Sequence, residues 1–288
     1  VTKLLGVLDA SENRKEDVRN GTSTAARSTQ QRNPSKSKGS VSSSARKQVL
    51  AVRRPFAVFD IDGTLIRWQL YHAVVDELGH QGYIDKKSYT AIKQARLVWK
   101  RREHQKAFPE YEKQIIKIYD SVITDIGVNK FNKIVKNVFD EYKDQVYTYT
   151  RELIKDLKAK GYVLLAISGS PEQAVGLIAG YYGFDDFVGS TYYHKGDKFT
   201  GKKTVAALDK KAELDKLLAK HHLGLKGSIA VGDSESDIPL LEAVERPIVF
   251  NPTVQLYNKA CQNGWEIIVE RKNVIYELRD SNGNYILA

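Results

Sequence analysis

Three short apolar runs, each ending in a polar signature, constrain this chain more than any other feature. Phe56–Phe59 runs into Asp60-x-Asp62-Gly63-Thr64, Val163–Ile167 into Ser168-Gly169-Ser170, and Ile229–Val231 into Gly232-Asp233-x-x-x-Asp237. Each run is strand-sized and lacks polar alternation, so both of its faces need cover. Strands of this kind, separated by helical stretches, form a parallel sheet with helices on both sides. Such sheets bind ligands beyond the carboxyl ends of their strands, so residues as distant in sequence as Asp60 and Asp233 can share one cleft.

The sequence therefore predicts an α/β fold with a Rossmann-like parallel sheet core made from residues 55–66 and 147–288. Residues 67–146 interrupt it. There the spacing turns helical, with Ile115, Ile118, Tyr119, Val122 and Ile123 followed by Phe131, Ile134, Val135, Val138 and Phe139, and this predicts an all-helical insert of about four helices. Residues 274–288 read as a C-terminal hairpin turning at Asn282-Gly283. No repeat of fixed period is visible.

Composition matters most at the amino end. Residues 1–54 hold 12 basic and 4 acidic side chains, +8 of the chain's net +10, with little that is apolar. This segment is expected to be a disordered basic tail, with weak contact to polyanions as its one suggested partner role. The single Cys261 excludes an internal disulfide and cysteine zinc sites, which points to the cytoplasm. No apolar run reaches the length of a membrane span, and Val1–Leu8 does not read as a secretory signal. The absence of methionine suggests a trimmed or partial sequence.

The strand-end residues suit phosphoryl transfer. Carboxylates from Asp60 and Asp233 make a hard oxygen site for Mg²⁺, which also binds substrate phosphate. Asp60 is placed to attack phosphorus, and Asp62 to protonate the leaving oxygen and then activate water. Gly63 lets the backbone approach a phosphate whose oxygens the turn's N–H groups can bind. Ser170-Pro171-Glu172-Gln173 reads as a helix start, with serine as N-cap, proline at the first position and glutamine in the capping-box place. A lysine from the stretch Lys210–His222 completes the charge balance: Lys211 is the first choice and Lys210 the competing one. Taken alone, Asp237 reads equally as a helix cap. The six histidines show no ligand spacing, and Trp68, Trp99 and the insert's tyrosines read as its packing core.

Together, FDIDGT, ISGS, the lysine helix and GDSESD resemble the four motifs of the haloacid dehalogenase superfamily, over residues 55 to about 260. The resemblance is to phosphatases of the branch similar to phosphoserine phosphatases, which place a helical cap directly after the first motif. It implies a nucleophile, Asp60, and an acid/base, Asp62. It further implies phosphate contacts from Gly63, Thr64, Ser168, Gly169 and Lys211, with Mg²⁺ held by Asp60, Asp233 and the Asp62 carbonyl and supported by Asp237. That branch commonly carries serine where Gly63 stands, and a glutamate for the substrate amine where this chain has Gln69. Gln69, Arg96 and Arg101 are accordingly the specificity candidates, with the arginines expected to favour an acidic ester over phosphoserine. The leading expectation is a phosphatase acting on a small phosphate ester. A phosphotransferase or mutase with the same intermediate, and a scaffold tethered by the basic tail, are the alternatives.

Overall fold

In the computed structural model, which describes residues 54–281 and 284–287, β1 (Phe56–Phe59) buries all four side chains and divides them between two apolar layers. Ala57 and Phe59 face one layer, Phe56 and Val58 the other. That division follows from the two-residue period of a strand covered on both faces.

The remaining strands are β2 (Val163–Pro171), β3 (Asp186–Lys195), β4 (Lys198–Thr204), β5 (Ile229–Gly232), β6 (Arg246–Phe250), β7 (Glu266–Arg271), β8 (Val274–Ser281) and β9 (Asn284–Leu287). They form one sheet in the order β4-β3-β2-β1-β5-β6-β7-β8-β9. Neighbours from β3 across to β7 pair in parallel, whereas β4 at one edge and β8 and β9 at the other run antiparallel. Phe59 lies opposite both Ala166 and Val231, so the three polar signatures emerge at one level. From β1 the chain winds outward through β2 and β3, then returns to β5 and winds the other way. The cleft opens at this reversal.

Helices α5 (Thr148–Ala159) and α6 (Glu172–Tyr182) cover the Phe59 face, while α7 (Lys210–Lys220), α8 (Ile238–Leu241) and α9 (Val254–Asn263) cover the Val58 face. Gly161, at φ +79°, follows α5 in the left-handed conformation that a helix stop favours.

Between β1 and α5 the chain forms α1 (Leu70–His80), α2 (Lys86–Lys100), α3 (Ala107–Val122) and α4 (Val128–Tyr142). Asp85 caps α2 by accepting from the Lys87 and Ser88 amides. Ile115, Tyr119, Phe131, Ile134, Val135 and Val138 are buried, and they continue the apolar layer on the Phe59 face. The β3–β4 hairpin also grips this insert. Lys203 pairs with Asp120, and Asp197 accepts from the Asn129 amide at the start of α4.

One sequence expectation needs correction. Ser170 and Pro171 are not the first residues of a helix, because β2 continues through them and α6 begins at Glu172. Pro171 pairs with Ser190 in β3, and the Ser190 hydroxyl donates to the Gly169 carbonyl at 2.6 Å. Sheet pairing thus overrides the local capping pattern, and Gln173 leaves its buried side-chain oxygen without a partner. The tail of residues 1–54 and its polyanion contact fall, Arg54 apart, on residues 1–53, and the Asn282-Gly283 turn on residues 282 and 283. Both lie outside the described residues. Among those residues no helix is long and apolar enough to cross a membrane.

Candidate active site

Asp60 follows β1 directly and is 4% exposed. Its amide donates to the Val231 carbonyl at 2.9 Å, which stitches the first signature to β5. One carboxylate oxygen accepts from the Lys210 ammonium at 2.6 Å, and the same ammonium donates to Asp237 at 2.6 Å. Asp60, Asp233 and Asp237 each bring a carboxylate oxygen within 4.8 Å of the others. Burial pushes Asp60 up to about 7 against the opposing pull of Lys210, and Asp237 and Asp62 add to the rise. Asp233 is driven well above the carboxylate range by burial, then by Asp60 and Asp237. Burial alone would depress the Lys210 ammonium, but Asp237 and Asp60 outweigh it and hold the lysine charged.

Asp237 is organised by its own loop. One oxygen accepts from the Asp233 amide, the Ser234 amide and the Ser234 hydroxyl, all at 3.1 Å, and the other accepts from Lys210. The capping role and the site role therefore coincide in one side chain. Gly232 makes this possible, since a Cβ there would lie 2.4 Å from the Asp237 Cβ.

Asp62 sits on the other side of the turn. Its two oxygens accept from the Leu70 amide and from the Ser168 hydroxyl, each at 2.5 Å. Burial raises its pKa, and the Ser168 and Leu70 bonds offset part of the rise. Ser168 Oγ also accepts from the Ser170 amide at 3.0 Å, while Ser170 Oγ accepts from the Tyr71 amide at 2.9 Å. The second signature thereby touches the first turn of α1. Gly63 adopts φ +83°, and a Cβ there would fall 2.2 Å from an Asp233 oxygen, so a side chain at this position requires that carboxylate to turn away. Thr64 is fully buried with its hydroxyl unpartnered.

Asp60 and Asp233, both raised by burial and by neighbouring carboxylates, stand with Asp237 around one lysine and fit a divalent cation with oxygen preference. Asp60, Asp233 and Asp237 are the carboxylates close enough to one another to share it.

Several candidates lie elsewhere. Lys211 is on the outer side of α7, where it donates to both Asp215 oxygens at 2.6 Å. The lysine in the cleft is Lys210, one residue earlier and therefore about 100° around the helix. Arg96 does not reach the cleft as a free cation. Its guanidinium is taken by Asp76 at 2.8 Å and by the Tyr111 hydroxyl at 2.7 Å inside the insert. Arg101 is exposed beside Glu103 at 3.5 Å. Gln69 is the N-cap residue of α1, half-buried, and its side chain makes no capping bond. Sequence reasoning missed Glu112 of α3, whose carboxyl is raised by burial and then by Glu235, two residues beyond Asp233. A glutamate on a polar helix carries no sequence signal of such a neighbour.

Comparison with known proteins agrees with this geometry. Residues 57–242 match the haloacid dehalogenase-like hydrolase family. The phosphoserine phosphatase of Methanocaldococcus jannaschii is 24% identical over 77% of this chain and 95% of its own length. The histidinol-phosphatase of Neisseria meningitidis is 22% identical over 74% of this chain and 97% of its own. A solved structure of a phospho-aspartyl intermediate analogue of phosphoserine phosphatase shares the fold, with a TM-score of 0.52 at 21% identity over 77% of this chain and 95% of that one. With the insert, all three strand-end signatures and the Lys210 helix inside the matched region, the chain belongs to the haloacid dehalogenase-like hydrolases, in the branch of phosphoserine phosphatase-like phosphatases.

Proposed function

We propose that this enzyme is a Mg²⁺-dependent phosphomonoester hydrolase that cleaves a small phosphorylated metabolite through an aspartyl phosphate on Asp60. The observation that carries the reading is the buried Asp60 carboxylate, 2.6 Å from the Lys210 ammonium and grouped with Asp233 and Asp237. Magnesium held by Asp60, Asp233 and the Asp62 carbonyl supplies the charge that lets an anionic nucleophile approach an anionic phosphate.

Asp60 attacks phosphorus and the ester P–O bond breaks, with Asp62 giving the departing oxygen its proton. Water then loses a proton to Asp62 and attacks the phosphorus of the aspartyl phosphate, which releases phosphate and restores both side chains. The raised pKa of Asp62 supports its part as the acid. Lys210 binds phosphate oxygens and keeps Asp60 aimed. The Ser168 hydroxyl, which donates to Asp62 without substrate, turns to the phosphate when one binds.

The substrate reading rests on Gln69, which offers no charge to an ammonium group. Arg96 and Arg101 no longer support a preference for acidic esters, since both have other partners. A phosphotransferase would share the Asp60 chemistry and differ only in its acceptor. The single, unpaired Cys261 accords with a cytoplasmic setting.

The test is Asp60→Asn, assayed by phosphate release over a metabolite panel. The amide keeps a bond to Lys210, so the fold should persist while turnover falls by about 10⁴-fold or more. A variant that keeps over about a tenth of wild-type turnover would overturn the assignment.

A further inference from the structure

Two chain segments connect the helical insert to the sheet, and they run side by side. Ile66 bridges Val146, the Arg67 amide donates to the Gln145 carbonyl at 2.8 Å, and the Tyr147 amide donates to the Leu65 carbonyl at 3.0 Å. One carboxylate takes both segments. Glu270 of β7 is 7% exposed. Its Oε1 accepts from Arg67 Nη2 at 2.6 Å and from the Thr148 amide at 3.1 Å, while Oε2 accepts from the Tyr149 amide at 2.8 Å. Arg67 closes the arrangement by donating from Nε to the Val146 carbonyl at 2.6 Å, with its guanidinium 5.1 Å from the Tyr147 ring centroid.

The same residue reaches toward the reacting groups through its backbone. The Glu270 amide donates to the Asn251 side chain at 2.9 Å, and two residues along that loop the Thr253 amide donates to the Asp233 carbonyl at 2.9 Å. Asn251 itself holds a left-handed backbone at φ +43°, a conformation asparagine adopts more readily than most residues other than glycine. A carboxylate needed only to cap α5 would require the Thr148 and Tyr149 amides alone. Glu270 adds the guanidinium of the incoming segment, and it does so from the parallel strand outside the one that precedes the Asn251–Thr253 loop.

We propose that Glu270 is a positioning residue: by holding Arg67 and the Thr148–Tyr149 amides together, it sets the angle at which the insert stands over Asp60 and Asp62, and it ties that angle to the loop that supports Asp233. The proposal rests on the reading of Asp60 and Asp62 as the reacting groups. Its effect is on alignment, since Glu270 touches neither carboxylate, and small misplacements of reacting groups cost turnover more than binding.

The test uses the full chain, with p-nitrophenyl phosphate and Mg²⁺ for turnover and hydrogen–deuterium exchange without substrate for the grip itself. Glu270→Gln keeps the side-chain shape and one carbonyl acceptor but removes the charge, and Arg67→Gln removes the partner on a half-exposed side chain that the fold tolerates losing. Each should lower kcat about tenfold or more with KM within about threefold of wild type, the double variant should be no worse than the weaker single, and Arg67→Lys should recover part of the loss. Amides at residues 65–68 and 147–149 should exchange about tenfold faster in both Gln variants while those of β2 stay protected. As a control, Arg246→Gln of β6 breaks the pair with Glu266, which lies on the same strand as Glu270, and should move neither readout. Additive losses, kcat within about twofold of wild type in both singles, or unchanged exchange at the two segments overturns the proposal. A wild type inert toward every phosphate ester but with the expected exchange pattern would overturn the functional reading and leave the grip standing.

Discussion

Lys210 Nζ stands 2.6 Å from Asp60 and 2.6 Å from Asp237, while Lys211, its neighbour in sequence, lies on the outer side of the same helix paired with Asp215. Lys210 is the first residue of α7 and is 2% exposed. Its ammonium therefore pairs with two buried carboxylates at once, and its removal takes away the one positive charge they share.

Replacing Lys210 by Met should therefore reduce turnover by about 10²-fold or more and destabilise the fold by less than the about 3–5 kcal/mol of a broken buried ion pair, because Asp60, already raised to about 7 beside Lys210, takes up a proton instead of staying charged. Lys211→Met should leave both within about twofold and 0.5 kcal/mol, as for an exposed i,i+4 pair. Steady-state assays and denaturant melts of the two variants decide the matter. If Lys211→Met proved the damaging change, the assignment of the phosphate lysine would be reversed.

Asp62→Asn should slow esters with poor leaving groups far more than aryl phosphates, with a difference of about 10²-fold or more, because only a poor leaving group needs the proton. A leaving-group series measured on wild type and variant would expose this. Equal losses along the series would mean that Asp62 serves the turn through its bonds to Leu70 and Ser168 rather than the reaction.

Gln69 stands one residue before Leu70, whose amide binds Asp62, so its backbone borders the site. Phosphoserine should not be the preferred substrate, and Gln69→Glu should raise its kcat/KM by roughly 10- to 150-fold, the worth of one charge-assisted hydrogen bond. Comparison of phosphoserine with neutral phosphomonoesters in both proteins tests this. Preference of the wild type for phosphoserine over every other ester would refute the use made of Gln69.

His72 has a pH signature of its own. It is 1% exposed with both ring nitrogens unpartnered, among Trp68, Tyr71, Trp99, Phe108 and Tyr111. Burial, with the nearby Arg96 adding to it, pushes the imidazole down to about 3. An unfolded chain binds that proton near pH 6.5. Between those values the unfolded state holds more protons, so stability falls as pH is lowered from about 6.5 toward 3. From pH 8 to pH 5 the imidazole should cost about 2 kcal/mol, and His72→Phe should remove that part of the loss. Denaturant melts of both proteins at the two pH values measure it, and parallel pH profiles would show that His72 does not titrate on unfolding.

The sequence by itself determined where the apolar runs end and which polar residues follow them. An apolar run that stops at Asp60, Ser168 or Asp233 is a local pattern, readable in one dimension, and parallel pairing then brings those ends to one level. The helical character of the insert was equally legible, because its apolar spacing is local too. Tertiary structure decided everything that depends on which way a side chain faces and what meets it. Lys210 and Lys211 have the same charge and differ by about 100° of helix rotation, and only packing against the sheet chooses between them. Arg96 reads as a free cation until the fold brings Asp76 and Tyr111 to it. Ser170 carries a helix-start pattern, yet the pairing of β2 with β3 keeps it extended, since a sheet partner offers that backbone more than a local cap does. Glu270 has no sequence signal at all, because its meaning comes from two segments more than 120 residues away that only the folded sheet sets side by side.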